Sequence, residues 1–278
     1  MKNIILPTDF SLNAFNAARY ALHFYREDTC NFILLNAYEV GDYHEGSAFV
    51  PVPNKDSLLQ AKKNSEEQLL SLKAQLRNLS GNLTHTFEHV TQNLPLITAI
   101  NLQTSEVKTE VVIIGTQGVT DAHDVAFGIN TINIMEDVRN VPILAVPSHV
   151  MFTNIGEIVL ATGFKMQYSP RELEFLKSTV LNHHAHLRIL HINETEKLSE
   201  QQIINKNDLE FKLTNVPHSF HNLSYVTIPL GIYSFTESRG SEMIAFIKKK
   251  HNFLVNLLAD PLYKKLGNYS QIPVLVMG

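Results

Sequence analysis

Gly115 and Gly118, followed by Gly128, Ile129, Asn130 and Thr131, are the residues of this chain best suited to hold an anion. They come directly after the apolar run Val111–Ile114, which reads as a buried strand. Glycine lets the main chain approach a ligand closely. A helix opening behind it offers N–H groups without intrahelical partners and the positive end of its dipole, a ready place for phosphate. Pro7, Thr8 and Asp9 sit just past another apolar run, Asn3–Leu6. In an open α/β sheet, ligands bind at such carboxyl edges. Asp9 or Ser11 can also cap the helix that follows, and for Asp9 capping and ligand contact coexist.

Other chemistry lacks its residues. The sequence holds no Gly-x-Ser-x-Gly elbow, no phosphate loop ending in Gly-Lys-Ser/Thr and no Cys/His pair close in sequence, so no catalytic residue is assigned. Without a phosphate-clamping lysine in the glycine motif, rapid ATP hydrolysis is not expected. His183, His184, His186, His218 and His221 lack zinc-site spacing and read as structural or surface groups, so no metal ligand is assigned either. Cys30 is the single cysteine, which excludes an intramolecular disulfide and fits a reducing compartment. A net charge of −4 gives no broad basic surface for nucleic acid. No apolar run approaches the ~20 residues of a membrane span, and no signal peptide is legible, so a cytoplasmic protein is expected.

The elements that must position the motif follow from periodicity. Asn3–Leu6 and Asn31–Ala37 read as strands, with a helix between them marked by Ala14, Ala17, Ala18, Ala21, Leu22 and Tyr25. Residues 41–54 read as a long loop. Ser57–Leu79 reads as an amphipathic helix, His85–Val90 as a strand, and Leu94–Gln103 as a helix with Pro95 in its first turn. The Val111–Ile114 strand, a helix over Thr131–Val138 and the strand Val141–Val146 complete five strands and about four helices. Alternation of this kind predicts an α/β fold with a parallel sheet covered on both faces.

The order then repeats. Glu157–Phe164 matches Asn3–Phe10, and Arg188–Glu194 matches Ile33–Glu39. Ile228–Leu230 matches Leu94–Leu96, Glu242–Ile247 matches Glu110–Ile114, and Ile272–Val276 matches Val141–Ala145. Five matches in one order indicate a duplication, with domains at 1–148 and 155–278. In the second copy Gly163 replaces Asp9, and Lys248, Lys249 and Lys250 stand where the glycine loop would begin. Side chains there block close main-chain approach, and the lysine run reads as a solvated face.

The Pro7-Thr8-Asp9 start, the spacing of Gly115, Gly118 and Gly128, and the terminal Pro142–Val146 strand together resemble the universal stress protein family. The resemblance implies two tandem open-sheet domains, each five-stranded and parallel, paired as an intrachain pseudo-dimer through their last strands. It implies an adenine nucleotide, ATP or AMP, in the first domain, with Mg²⁺ accompanying ATP. Pro7, Thr8, Asp9 and Ala37 would contact adenine or ribose. Gly115, Thr116 and Gly118 would wrap ribose and phosphates, and the N–H groups after Gly128 at Ile129, Asn130 and Thr131 would face phosphate. The family usually has a hydroxyl residue where Ile129 stands, leaving Asn130 or Thr131 as its replacement. A homodimer of tandem chains and an unidentified signalling partner are the further expectations. Two rival readings stand beside the sensor: a nucleotide-independent scaffold, and a slow ATPase using Asp121 or Asp124 to hold Mg²⁺.

Overall fold

The computed structural model describes residues 1–40, 55–116, 129–193, 197–248 and 272–278, with Ile129 by its main chain alone. The first run of elements is β1 (Lys2–Pro7), α1 (Leu12–Phe24), β2 (Cys30–Ala37), α2 (Lys55–Leu79), β3 (Thr86–Gln92), α3 (Leu96–Glu106), β4 (Val111–Gly115), α4 (Ile129–Asp137) and β5 (Ile143–Val146). The second is β6 (Glu157–Ala161), α5 (Pro170–Asn182), β7 (His186–Asn193), α6 (Glu200–Lys212), β8 (His218–Ser224), α7 (Ile228–Arg239), β9 (Met243–Ile247) and β10 (Val274–Met277). Helix α4 opens two residues before the expected Thr131. The loop expected at 41–54 lies outside the described residues.

Local chemistry sets the boundaries. Ser11 caps α1 by accepting from the Ala14 N–H, which satisfies one of the donors a helix start leaves free. Ser169 with Glu172 and Ser199 with Gln202 form reciprocal capping boxes at α5 and α6. Gly240 ends α7 in the left-handed conformation, at φ 65°, which costs glycine little.

The ten strands form one sheet in the order β3-β2-β1-β4-β5-β10-β9-β6-β7-β8. All pairings are parallel except that of β5 with β10, which is antiparallel with Leu144 opposite Leu275. The expected pairing of the two last strands is therefore present. It converts two edges, each with unpaired N–H and C=O groups, into the centre of one continuous sheet. Apolar side chains bury on both sheet faces: Ile4, Phe32, Leu144 and Leu275 on one, Ile5, Ile33, Ala145 and Val274 on the other. Phe24 of the first half meets His183 of the second at 4.5 Å between ring centroids. Burial lowers the His183 pKa, so the neutral ring is the form that fits.

Lys248 corrects the expectation of a solvated lysine face. Its Nζ donates to the carbonyls of Met135, Glu136 and Val138 at 2.6, 2.8 and 2.8 Å. A side chain of the second half thus caps the carboxyl end of α4 in the first. Lys249 and Lys250 lie outside the described residues.

Candidate functional site

Strand β1 pairs with β2 on one side and β4 on the other. The chain leaves β1 toward β2 and β3, then crosses back to β4 and β5, so the strand order reverses between β1 and β4. At such a switch point the connections leave in opposite directions and a crevice opens at the carboxyl ends. Pro7, Thr8 and Asp9 stand on one side of it, and Gly115 and Thr116 on the other. Ala37 ends β2, one strand further out.

The turn after β1 is held by its own side chains. Thr8 is buried, and its Oγ accepts from the Phe10 N–H at 3.0 Å. Phe10 takes a left-handed φ of 62°, which turns the chain sharply. Asp9 is exposed, and its Oδ1 accepts from the Ser11 N–H at 3.0 Å. Asp9 therefore shapes the turn while Ser11 is the cap.

A buried polar chain braces this turn, and the sequence reading missed it. Asn36 Nδ2 donates to the Thr8 carbonyl at 2.7 Å, Ser65 Oγ donates to Asn36 Oδ1 at 2.7 Å, and Thr91 Oγ1 donates to Ser65 Oγ at 2.7 Å. The one legible signal was Asn36, a polar residue closing the apolar run Phe32–Leu35.

Gly115 has a steric reason of its own. A Cβ there would stand 2.9 Å from the Asn13 carbonyl oxygen and 3.0 Å from its carbon, both main-chain atoms. Glycine at this position is what lets the start of α1 lie against the end of β4. Gly115→Ala is expected to cost about 1–3 kcal/mol through displacement of α1, read as a lower urea midpoint with an unchanged slope.

Thr131 serves the fold. Its hydroxyl is buried and shared between the Gly115 and Thr116 carbonyls, each at 3.1 Å. It pins the first turn of α4 to the end of β4 and is not the free phosphate donor suggested as a substitute at Ile129. The side chain of Asn130 is exposed. Gly118, Gly128, Asp121 and Asp124 lie outside the described residues. Among the described residues no three His, Cys, Asp or Glu side chains converge on a metal-sized space, and no helix is long and apolar enough to cross a membrane. Burial pushes the Cys30 thiol up to about 12, so it stays protonated and unreactive.

In the second half Phe164, at the position of Phe10, is buried, its ring 4.9 Å from that of His191 on β7. Lys248 is drawn away to α4.

Comparison with solved structures gives likeness over the whole chain. A universal stress protein from Archaeoglobus fulgidus DSM 4304 superposes with a TM-score of 0.70 at 17% identity, covering 99% of this chain and 97% of that one. A functionally unknown protein from Pseudomonas aeruginosa PAO1 gives 0.57 at 13% identity, covering 99% and 92%. The cytoplasmic domain of a prokaryotic cation chloride cotransporter gives 0.52 at 11% identity, covering 99% and 95%. At such identities the likeness is one of fold. No curated protein matches the chain. The sequence profile described as Universal stress protein family matches residues 1–147, more than half of the 278. With the switch-point crevice in that same stretch, the chain belongs to the universal stress protein family.

Proposed function

We propose that the chain binds an adenine nucleotide, ATP or AMP, in a first domain spanning residues 1–148, and acts as a sensor or scaffold. The observation that carries this reading is the crevice between β1 and β4, with Asp9 exposed on one side and the start of α4 tied to the other by Thr131. The residues present suit such a ligand. Pro7, Thr8, Asp9 and Ala37 line up at the strand ends for base and ribose. The main-chain N–H groups of Ile129, Asn130 and Thr131 belong to the first turn of α4, where a helix has donors to spare for phosphate. Gly115, Thr116, Gly118 and Gly128 complete the proposed contact set. The second domain, 155–278, supplies the pairing partner that a single-domain relative would need a second chain to provide. Mg²⁺, where ATP brings it, would be held mainly by the nucleotide's own phosphates.

The test is thermal. At a hundredfold excess over its dissociation constant, ATP or AMP stabilises the folded protein by about 2.7 kcal/mol, a rise in Tm of roughly 5 °C for a chain of this size. No shift at millimolar nucleotide would sink the proposal in favour of a nucleotide-independent scaffold. Steady phosphate release from ATP would instead favour the slow ATPase.

A further inference from the structure

The two halves treat one buried position differently. Asn36 on β2 lies opposite Thr91 on β3, and His191 on β7 lies opposite Asn222 on β8. Asn36 donates to the carbonyl of Thr8, and His191 Nδ1 meets the carbonyl of Thr162 at 2.8 Å. Thr8 and Thr162 make the same turn, each accepting from the N–H two residues on. His191 is therefore the counterpart of Asn36.

In the first half the outer end of Asn36 is satisfied by the Ser65 hydroxyl from α2. The corresponding helix, α6, contains neither serine nor threonine. Its buried polar residue, Asn205, is spent on the Phe164 carbonyl and on Gln201. Beside His191 a cleft of about 250 Å³ opens, bordered also by Phe164, Asn193, Lys206, Phe220 and Asn222. A carbonyl only accepts, so His191 Nδ1 carries the proton and Nε2 presents a bare lone pair. Among the described residues Nε2 has no partner, and His191 is 4% exposed. Nδ1 turns to the Thr162 carbonyl just past β6, and His191 borders the cleft together with Phe220 and Asn222 of β8. Lys206 reaches the same cleft with its Nζ 4.8 Å from the Phe220 ring centre. Among the described residues no carboxylate pairs with it.

The geometry points to a second binding site here, for a small hydroxylated organic anion. The ligand's hydroxyl takes the part of the Ser65 hydroxyl and donates to His191 Nε2, while Lys206 holds its anionic group. An unpartnered buried acceptor is costly, and a donor that satisfies it is strongly preferred over an isostere without one. A cleft of this size suits a ligand of roughly seven to ten heavy atoms, since a water molecule's share of liquid volume is ~30 Å³. The anion is a carboxylate or a phosphate ester, which Lys206 as a point charge would hold alike.

The full chain is titrated calorimetrically with glycerate and with glycerol 3-phosphate. Glycerol and propanoate serve as probes bearing only one of the two groups. At least one hydroxylated anion is expected to bind, each single-group probe about tenfold or more weaker, and the stronger anion identifies the acidic group. His191→Phe, which keeps the ring and removes the acceptor, and Lys206→Met should each weaken binding about tenfold. Lys206 sits half-exposed on a helix, so Lys206→Met keeps the test decisive whatever His191→Phe does to folding. Absence of binding by both anions at about 10 mM, or binding that either folded variant leaves unchanged, overturns the assignment. A histidine with only a structural role would show a change of stability in His191→Phe and none of binding.

Discussion

Lys248→Met is expected to lower the unfolding free energy by about 2–3 kcal/mol, the cost of unpairing carbonyls at a protected helix end. Methionine keeps most of the apolar stem, so the variant isolates the amine from the packing. Three carbonyls at the end of α4, those of Met135, Glu136 and Val138, lose the Lys248 amine as a donor. A helix leaves its last carbonyls without intrahelical partners, and a cation there also complements the dipole. Burial lowers the Lys248 pKa, with Glu136 and Asp137 acting against it. That desolvation cost is recovered in the methionine variant, which is why the expected loss is not larger. Because Lys248 belongs to the second half and α4 to the first, the loss reports on their union. Urea unfolding followed by circular dichroism measures it, and separate transitions for the halves would show that the lysine also couples them. An unchanged midpoint would mean that water replaces the amine without cost.

Glu157 gives the second large effect. It begins β6, and its side chain is 12% exposed. Its carboxylate accepts from Arg188 Nε at 2.7 Å, Arg239 Nε and Nη2 at 2.7 Å each, and Ser241 Oγ at 2.8 Å. One carboxylate thus binds β6 to β7, to the end of α7 and to the approach of β9. Burial by itself raises its pKa; the hydrogen bonds from Arg239, Arg188 and Ser241 outweigh that and hold it at about 2, against an ordinary 4.5. A carboxylate depressed in the fold contributes fully above its unfolded pKa and loses that contribution as pH falls toward the folded value. The window is therefore about pH 4.5 down to about 2. The contribution is about 2–3 kcal/mol, from ~1.4 kcal/mol per unit with some discount for solvent. Glu157→Leu should cost about 3 kcal/mol at neutral pH, at the low end for a broken buried pair because Arg239 is 33% exposed. Glu157→Gln should cost less and flatten the acid limb of stability between those two pH values. Urea midpoints from pH 2 to 7 check both, and an acid limb identical to the parent's in Glu157→Gln would refute the assignment.

Much of the scaffold was legible because its signals are local. Runs such as Val111–Ile114 and Ile33–Leu35 marked buried parallel strands, and their order marked the α/β sheet. The resemblance to the universal stress proteins implied that the last strands, Val141–Val146 and Ile272–Met277, pair, and β5 and β10 do so. The candidate crevice was also legible, since Asp9 and Gly115 follow strands directly. The role of each residue inside it was less so. Gly115 reads from sequence as room for a ligand, yet its tightest neighbour is the Asn13 carbonyl. Thr131 reads as a phosphate donor, yet its hydroxyl is committed to Gly115 and Thr116.

The sequence by itself determined the element types, the doubled order of strands and helices, and the contrast between Gly115 and Lys248. Those features rest on periodicity, on turn residues and on the presence or absence of a Cβ, all properties of a few adjacent positions. Only the tertiary structure decided which polar groups meet. Lys248 finds its carbonyl partners 110 to 113 residues away, and Asn36 on β2 meets the Ser65 hydroxyl brought to it by α2. A hydrogen bond needs its two atoms within about 3 Å in the right direction. Spacing along a chain does not fix that distance; the pairing of β5 with β10, which brings the two halves together, does.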